Sequence, residues 1–227
     1  MKMIYLGHSA FRLEIAQSVV LIDPFLNGNS VFETTQISFE KAIEGATHIL
    51  LTHGHEDHVG DTVNIAKQTG ATVVGMVELI KLLEAAGVEH TSQHNLGGAF
   101  VTKDFKCTFV RADHSSSWQG QYAGVAAGLM IEAKNMQTIY HMGDTDIFSD
   151  MRLVAERFKP EIGLVPIGGH FTMDAETAAL ACNAYFNFKT SIPIHYQTFG
   201  VLAQTADTFT QAVKGAKVLP IGEKWEI

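Results

Sequence analysis

Cysteine is nearly absent. The 227 residues hold only Cys107 and Cys182. Both lie in apolar stretches and neither belongs to a C-x-x-C pair. That excludes a disulfide framework and a thiolate-closed zinc site, and both are expected as small buried core residues. Proline is also sparse, at five residues. No segment is rich in Pro or Ser, so nothing marks a linker. One domain over residues 1–227 is expected, long enough to bury a full core. No apolar run reaches the ~18 residues that a membrane helix needs. Met1-Lys2-Met3-Ile4 leads straight into a strand-like segment, which reads as no signal peptide and hence a cytoplasmic protein. Basic residues are outnumbered, 16 Lys and Arg against 24 Asp and Glu, for a net charge of −8. A nucleic-acid surface would be basic, so that class of partner is not expected. There is no Gly-x-Ser-x-Gly elbow to supply a serine nucleophile.

What is present is an alternation of strands and helices, with 46% hydrophobic and 18% charged residues, ordinary for an α/β protein. Short strands are expected at Ile4–Leu6, Ala10–Ile15, Val19–Ile22, Thr47–Leu51 and Thr72–Gly75, with helices at Phe39–Gly45, Val59–Gly70 and Glu78–Ala86. The second half repeats the theme. Strands are expected at Cys107–Ala112, Ala123–Glu132, Gln137–Met142, Ile162–Pro166 and Ser191–Ile194. Helices are expected at Met151–Phe158, at Ala175–Phe186 with Asp174 as N-cap, and at Ala203–Lys214. Lys217–Leu219 and Lys224–Glu226 close the chain. Two strand-rich halves with helices after each predict two sheets packed face to face with helices outside.

Against this frame one string stands out. His53-Gly54-His55-Glu56-Asp57-His58 places four metal-capable side chains within six residues, directly after the apolar run Ile49-Leu50-Leu51. Imidazole and carboxylate together suit zinc, iron, manganese or nickel. The i, i+2 spacing of His53 and His55 lets both rings point the same way from an extended segment. Asp57 and His58, at the following turn, can face a second ion. Three more candidates each stand just past a buried apolar run, where binding sites gather in layered α/β folds: His114, Asp144 and His195. His8 follows a strand and Gly7 and can reach the same edge. His170 follows Gly168-Gly169, a pair that suggests a flexible approach offering the imidazole to the cleft as proton donor or substrate contact. His48, His90 and His94 read as structural or exposed, and His141 as a hydrogen-bonded core residue.

With these residues in place the chain resembles the metallo-β-lactamase superfamily nearly end to end. The likeness runs through Val20-Leu21-Ile22-Asp23, the His53-to-His58 string, His114, Gly143-Asp144-Thr145 and His195. Tyr5-Leu6-Gly7-His8-Ser9 and Pro166-Ile167-Gly168-Gly169-His170-Phe171-Thr172-Met173 point to its short, stand-alone metal-dependent hydrolases, a group similar to the ascorbate-6-phosphate lactonases. The resemblance implies the αββα sandwich with the site at one edge between the sheets. It implies that His53, His55 and His114 hold a first divalent ion, that Asp57, His58 and His195 hold a second, and that Asp144 bridges them. Zinc is the first expectation, with manganese, iron or nickel as alternatives. Asp23 resembles the aspartate that buttresses the ligand loop.

The chemistry expected of such a centre is hydrolysis by hydroxide held between two ions, with Asp57 able both to ligate and to accept a hydrogen bond from the nucleophile. His8 and His170 are the further catalytic candidates. The expected substrate is a small ester, lactone or phosphodiester; it can be anionic, because bound divalent ions invert the local field. A ribonuclease or nucleic-acid phosphodiesterase of the same superfamily is the alternative, weakened by the acidic charge and by the lack of length for an RNA-clamping insertion. A diiron redox protein would need a flavin domain. Specificity is expected in loops Phe25–Gln36, His114–Tyr122 and Gly168–Asp174. The oligomeric state is open, a homo-oligomer included.

Overall fold

In strand after strand, apolar residues on alternate positions divide between two cores, and that division sets the layers. The structure, a computed structural model, describes residues 1–227. Its elements are β1 (Lys2–Tyr5), β2 (Phe11–Ile15), β3 (Ser18–Ile22), α1 (Phe39–Ile43), β4 (His48–Leu50), α2 (Glu56–Val59), α3 (Thr62–Thr69), β5 (Thr72–Met76), α4 (Val77–Ala85), β6 (Thr91–His94) and β7 (Ala99–Val101). They continue as β8 (Lys106–Arg111), β9 (Ser117–Trp118), β10 (Gln121–Tyr122), β11 (Ala127–Glu132), β12 (Ile139–His141), α5 (Met151–Phe158), β13 (Ile162–Pro166), α6 (Ala175–Tyr185), β14 (Thr190–Ile194), α7 (Asp207–Ala212) and β15 (Lys224–Glu226).

The first sheet has the order β15-β1-β2-β3-β4-β5-β6 and the second β14-β13-β12-β11-β8-β7. In the second sheet Phe109, Leu129, Ile139 and Leu164 face the first sheet and join its core. Their neighbours Val110, Met130, Tyr140 and Val165 pack instead with Met151, Ala178, Cys182 and Phe209 of α5, α6 and α7. The outer face of the first sheet is covered by Ile43, Ile65, Leu79 and Leu83 of α1, α3 and α4. A period of two is thus enough to sort residues between an inter-sheet core and a helix-facing core. The result is the αββα sandwich.

Strand direction matters most for the site. β3, β4, β5 and β6 are mutually parallel, as are β12, β13 and β14. β8 is antiparallel to β11, and β11 to β12, so β8 runs with β12. By the same rule β1 runs with β3 through β2. The carboxyl ends of β1, β3, β4, β8, β12 and β14 each lead into a metal-capable residue. Within each sheet those ends emerge on one edge. The sheets are stitched there by a backbone bond from the His195 N–H to the His8 carbonyl, 2.8 Å.

Four expectations are corrected. Val59–Gly70 is two helices, because Gly60 (φ +45) breaks the run. Ala203–Lys214 is helical only over Asp207–Ala212: Ala203 exchanges backbone bonds with Gln197 and Gly168 instead. Lys217–Leu219 is not a strand. The edge strands β6 and β7 were not expected, since Thr91-Ser92-Gln93-His94 is half exposed and carries no apolar alternation. The N-cap at Asp174 is as expected, its Oδ1 accepting from the Thr177 N–H at 2.7 Å. Both cysteines are free and buried.

Gly60 also sets how the loop after β3 meets the loop after β4. A Cβ there would stand 2.5 Å from Phe25 Cα and 2.6 Å from the Pro24 carbonyl oxygen. Gly60→Ala is therefore expected to cost about 2–4 kcal/mol in denaturant unfolding, from left-handed strain plus the overlap. A loss below about 0.5 kcal/mol would show that the two loops are not locked together here.

Candidate metal centre

β4 delivers the apolar run that ends at Thr52, and the chain then turns through Gly54, whose missing side chain lets Ala123 and the backbone of Ser117 close in. α2 starts at once, so Asp57 and His58 project from its single turn. Asp23, one residue past β3, is fully buried beneath them. It accepts three hydrogen bonds: from the Thr52 N–H (2.8 Å), the Thr52 hydroxyl (2.6 Å) and His58 Nδ1–H (2.7 Å). With its proton given to Asp23, Thr52 Oγ1 is left to accept from His53 Nδ1–H at 3.0 Å. Both histidines are thereby held as outward Nδ1–H tautomers. Their Nε2 lone pairs face the centre, the arrangement a metal-binding imidazole needs.

Asp144 lies at the middle, buried. One oxygen, Oδ2, is 3.0 Å from His195 Nε2, 3.5 Å from His114 Nε2 and 4.0 Å from His53 Nε2. The other, Oδ1, is 3.2 Å from His58 Nε2. Despite this proximity, His58 Nε2, His195 Nε2 and Asp144 Oδ1 have no aligned hydrogen-bond partner. Buried polar atoms that converge without bonding one another call for an ion among them. Three groups have ligand atoms mutually within 4.8 Å: His53, His55 and His114; His8, Asp57, His58 and His195; and His53, His58 and Asp144, which joins the other two. The donor set, all imidazole and carboxylate with no thiolate, fits divalent ions.

Electrostatics support the same use. Burial alone would keep His58 and His195 neutral. Yet Asp144, with Asp23 and Asp57 around His58 and Asp57 beside His195, holds His58 well above the usual range and pushes His195 up to about 9. Burial disfavours the Asp144 carboxylate, but His195 and His58 outweigh it and keep it ionised. An ion competes with those imidazole protons for the same lone pairs. Backbone strain gathers here as well: His8, Asp23 and His195 adopt φ of +56, +41 and +58.

A sequence profile described as "Beta-lactamase superfamily domain" matches residues 19–196. A UPF0173 metal-dependent hydrolase of Brucella anthropi is 51% identical over 214 residues, covering 92% of this chain and 90% of that one. One from Methylocella silvestris is 49% identical over 222 residues, covering 96% and 94%. The chain belongs to the beta-lactamase superfamily. It is a metal-dependent hydrolase of the UPF0173 kind. Among solved structures, Igni18, a metallo hydrolase from the archaeon Ignicoccus hospitalis, superposes with a TM-score of 0.86 at 31% identity, over 100% of this chain and 98% of that one. An isothiocyanate hydrolase from Delia radicum gut bacteria shares the fold, with a TM-score of 0.78 at 20% identity.

All seven side chains expected as ligands in this hydrolase are brought together, and Asp23 lies under them. His8 is drawn in more closely than its position after β1 required. Fully buried, it bonds Asp57 Oδ2 through Nε2 (3.0 Å) and Thr198 Oγ1 through Nδ1 (3.0 Å), its ring 4.0 Å from that of His195. Burial, with His195 nearby, lowers its pKa to about 4. His141 is the core residue expected: Nδ1 accepts from the Gly143 N–H (3.1 Å) and Nε2–H donates to the Ser9 carbonyl (2.9 Å).

His170 stands outside the centre. Its ring is exposed and edge-on to Phe171, in a groove lined by Gly169, Glu176 and Val201. The two glycines before it serve different needs: a Cβ on Gly168 would overlap the His195 carbonyl at 2.4 Å, whereas Gly169 adopts a φ of +86 that favours glycine. Thr52 and Thr198 were missed by sequence reasoning. Their nearness in sequence, Thr52 just before His53 and Thr198 three residues after His195, was the available signal, too common to single out a threonine.

Asp23→Ala strips three buried donors of their acceptor. The metal-free protein is expected to lose about 3 kcal/mol or more in urea unfolding, at roughly 1–3 kcal/mol for each group left unsatisfied. A loss under about 1 kcal/mol would mean that water or a neighbour already satisfies them.

Proposed function

We propose that this hydrolase holds two divalent ions, zinc foremost and manganese, iron or nickel as alternatives, and hydrolyses a small-molecule ester, lactone or phosphodiester. His53, His55 and His114 would hold one ion, Asp57, His58 and His195 the other, with Asp144 shared. The observation that carries this reading is Asp144: its two oxygens reach histidines of both groups while its Oδ1 lacks a hydrogen-bond partner. When bound, the ions supply acidity that makes hydroxide available near neutral pH and polarise the bond under attack.

The chain's own residues do the rest. Asp57, the least enclosed of the acids and kept ionised by His58, His195 and His8, accepts a hydrogen bond from the attacking water and so orients it. His8 is its positioning residue. A carboxylate only accepts, so His8 Nε2 carries the hydrogen it donates to Asp57 Oδ2, and Nδ1 accepts from the Thr198 hydroxyl. The net charge of −8 favours a small molecule over a nucleic acid, and we place the reaction in the cytoplasm. His170, exposed at the surface, is left with a contact to the substrate's distal end.

Protein purified without chelator is expected to carry close to two divalent ions per chain by elemental analysis. His53→Ala with His55→Ala should remove one, and Asp144→Ala should weaken both and lower kcat by orders of magnitude. Wild-type protein that retains no ion after reconstitution with zinc, manganese and iron would overturn the proposal.

His8→Ala should depress kcat more than KM with ion content held, and His8→Gln should recover part of the loss if an amide N–H can replace Nε2–H on Asp57. His170→Ala should leave ion content unchanged and lower kcat less than Asp57→Ala does. Equal losses in those two variants would return His170 to the chemistry.

A further inference from the structure

None of the 16 lysines and arginines lies in the loops that frame the centre. Residues 6–10, 23–37, 52–61, 112–126, 143–150, 167–174 and 195–206 hold no lysine or arginine. The nearest in sequence, Arg111, is already committed: its guanidinium pairs with Asp113 (2.7 Å) and Asp150 (3.1 Å) and lies 4.9 Å over the Phe148 ring. The same loops do carry unpaired acids, with Glu56 and Asp146 exposed. An anionic group borne away from the reacting bond would thus find no guanidinium or ammonium to receive it, and like charges at the rim.

Apolar surface stands where such cations would be. Phe25, after β3, and Phe199, after β14, are half-buried and stack on each other with centroids 6.2 Å apart. Both turn an edge to His8, at 5.8 and 5.4 Å, the residue bonded to Asp57. The aromatic pair therefore flanks the centre on the Asp57 side.

We propose that the substrate is an uncharged carboxylic ester or lactone whose apolar group packs on Phe25 and Phe199. This rests on the hydrolase reading above. In the reaction the water oxygen joins the acyl carbon and the acyl C–O bond breaks. One water proton goes to the leaving alkoxide, and the other is released as the product acid ionises. The reaction creates an anion at a rim that does not hold anions, which favours departure of the acid.

The test uses zinc-loaded wild-type protein and three matched esters: 4-nitrophenyl hexanoate, the 4-nitrophenyl monoester of adipic acid, and 4-nitrophenyl 6-aminohexanoate. The hexanoate should be favoured in kcat/KM by about tenfold or more over either charged ester. Phe199→Arg should close the gap to the adipate ester by about tenfold with zinc content unchanged. Phe25→Ala should lower kcat/KM for the hexanoate by about tenfold through loss of apolar contact. Equal or reversed preference, for anion or for cation, overturns the inference while the hydrolase reading stands. Zinc-loaded protein that cleaves none of the three removes the ester reading. The charge preference is then read without turnover, by calorimetric binding of benzohydroxamate against 4-carboxybenzohydroxamate. The uncharged-ring ligand should bind about tenfold tighter, and tighter binding of the carboxylated one overturns the inference independently.

Discussion

Two carboxylates, Asp23 and Asp144, are buried at the edge where the sheets meet, and the local structure is arranged to compensate them. A buried carboxylate is stable only when paired or densely hydrogen-bonded. Asp23 is satisfied within the protein, by Thr52 and His58. Asp144 is not: histidines surround it at 3.0–4.0 Å, yet its Oδ1 has no aligned donor. One acid fixes the ring tautomers and the other leaves charge for an ion to balance. The division explains why the left-handed backbone at Asp23 and His195 is tolerated, since these turns aim the side chains.

The supply of side chains to that edge is a consequence of strand direction. Parallel pairing in β3 to β6 and in β12 to β14 sends successive carboxyl ends to the same side, and the β8–β11–β12 meander returns β8 to that direction. Each sheet therefore offers its ligands along one rim. The His195–His8 backbone bond joins the two rims. Small residues make the closure possible: a side chain on Gly60 would push away Phe25, and one on Gly168 would meet His195. Beyond the histidines, the rim is short of cations and flanked by aromatic rings, a surface suited to uncharged, apolar molecules.

Much of this was legible beforehand, for identifiable reasons. Val20–Ile22, Ile49–Leu51, Ile162–Pro166 and Ser191–Ile194 are apolar runs buried on both faces, a pattern independent of context. The edge strands Thr91–His94 and Ala99–Val101 were hidden because half-exposed strands need no apolar period. The helix expected over Ala203–Lys214 failed because the backbone of Ala203 finds partners in Gln197 and Gly168, which are distant or non-helical in sequence. The His53-to-His58 string was visible since four donors in six residues is a local fact. His114, Asp144 and His195 were visible as polar residues ending apolar runs.

The sequence by itself determined the layered α/β class, the donor types and the strand ends that carry them, because periodicity and residue chemistry act over a few neighbours. Only the tertiary structure decided which imidazole nitrogens face the centre, that His8 is bonded to Asp57 and Thr198, and that His170 is left on the surface. Those outcomes depend on contacts such as Asp23 with His58 and His8 with Thr198, 35 and 190 residues apart. No local pattern encodes the distance between two such side chains; the packing of one sheet on the other sets it.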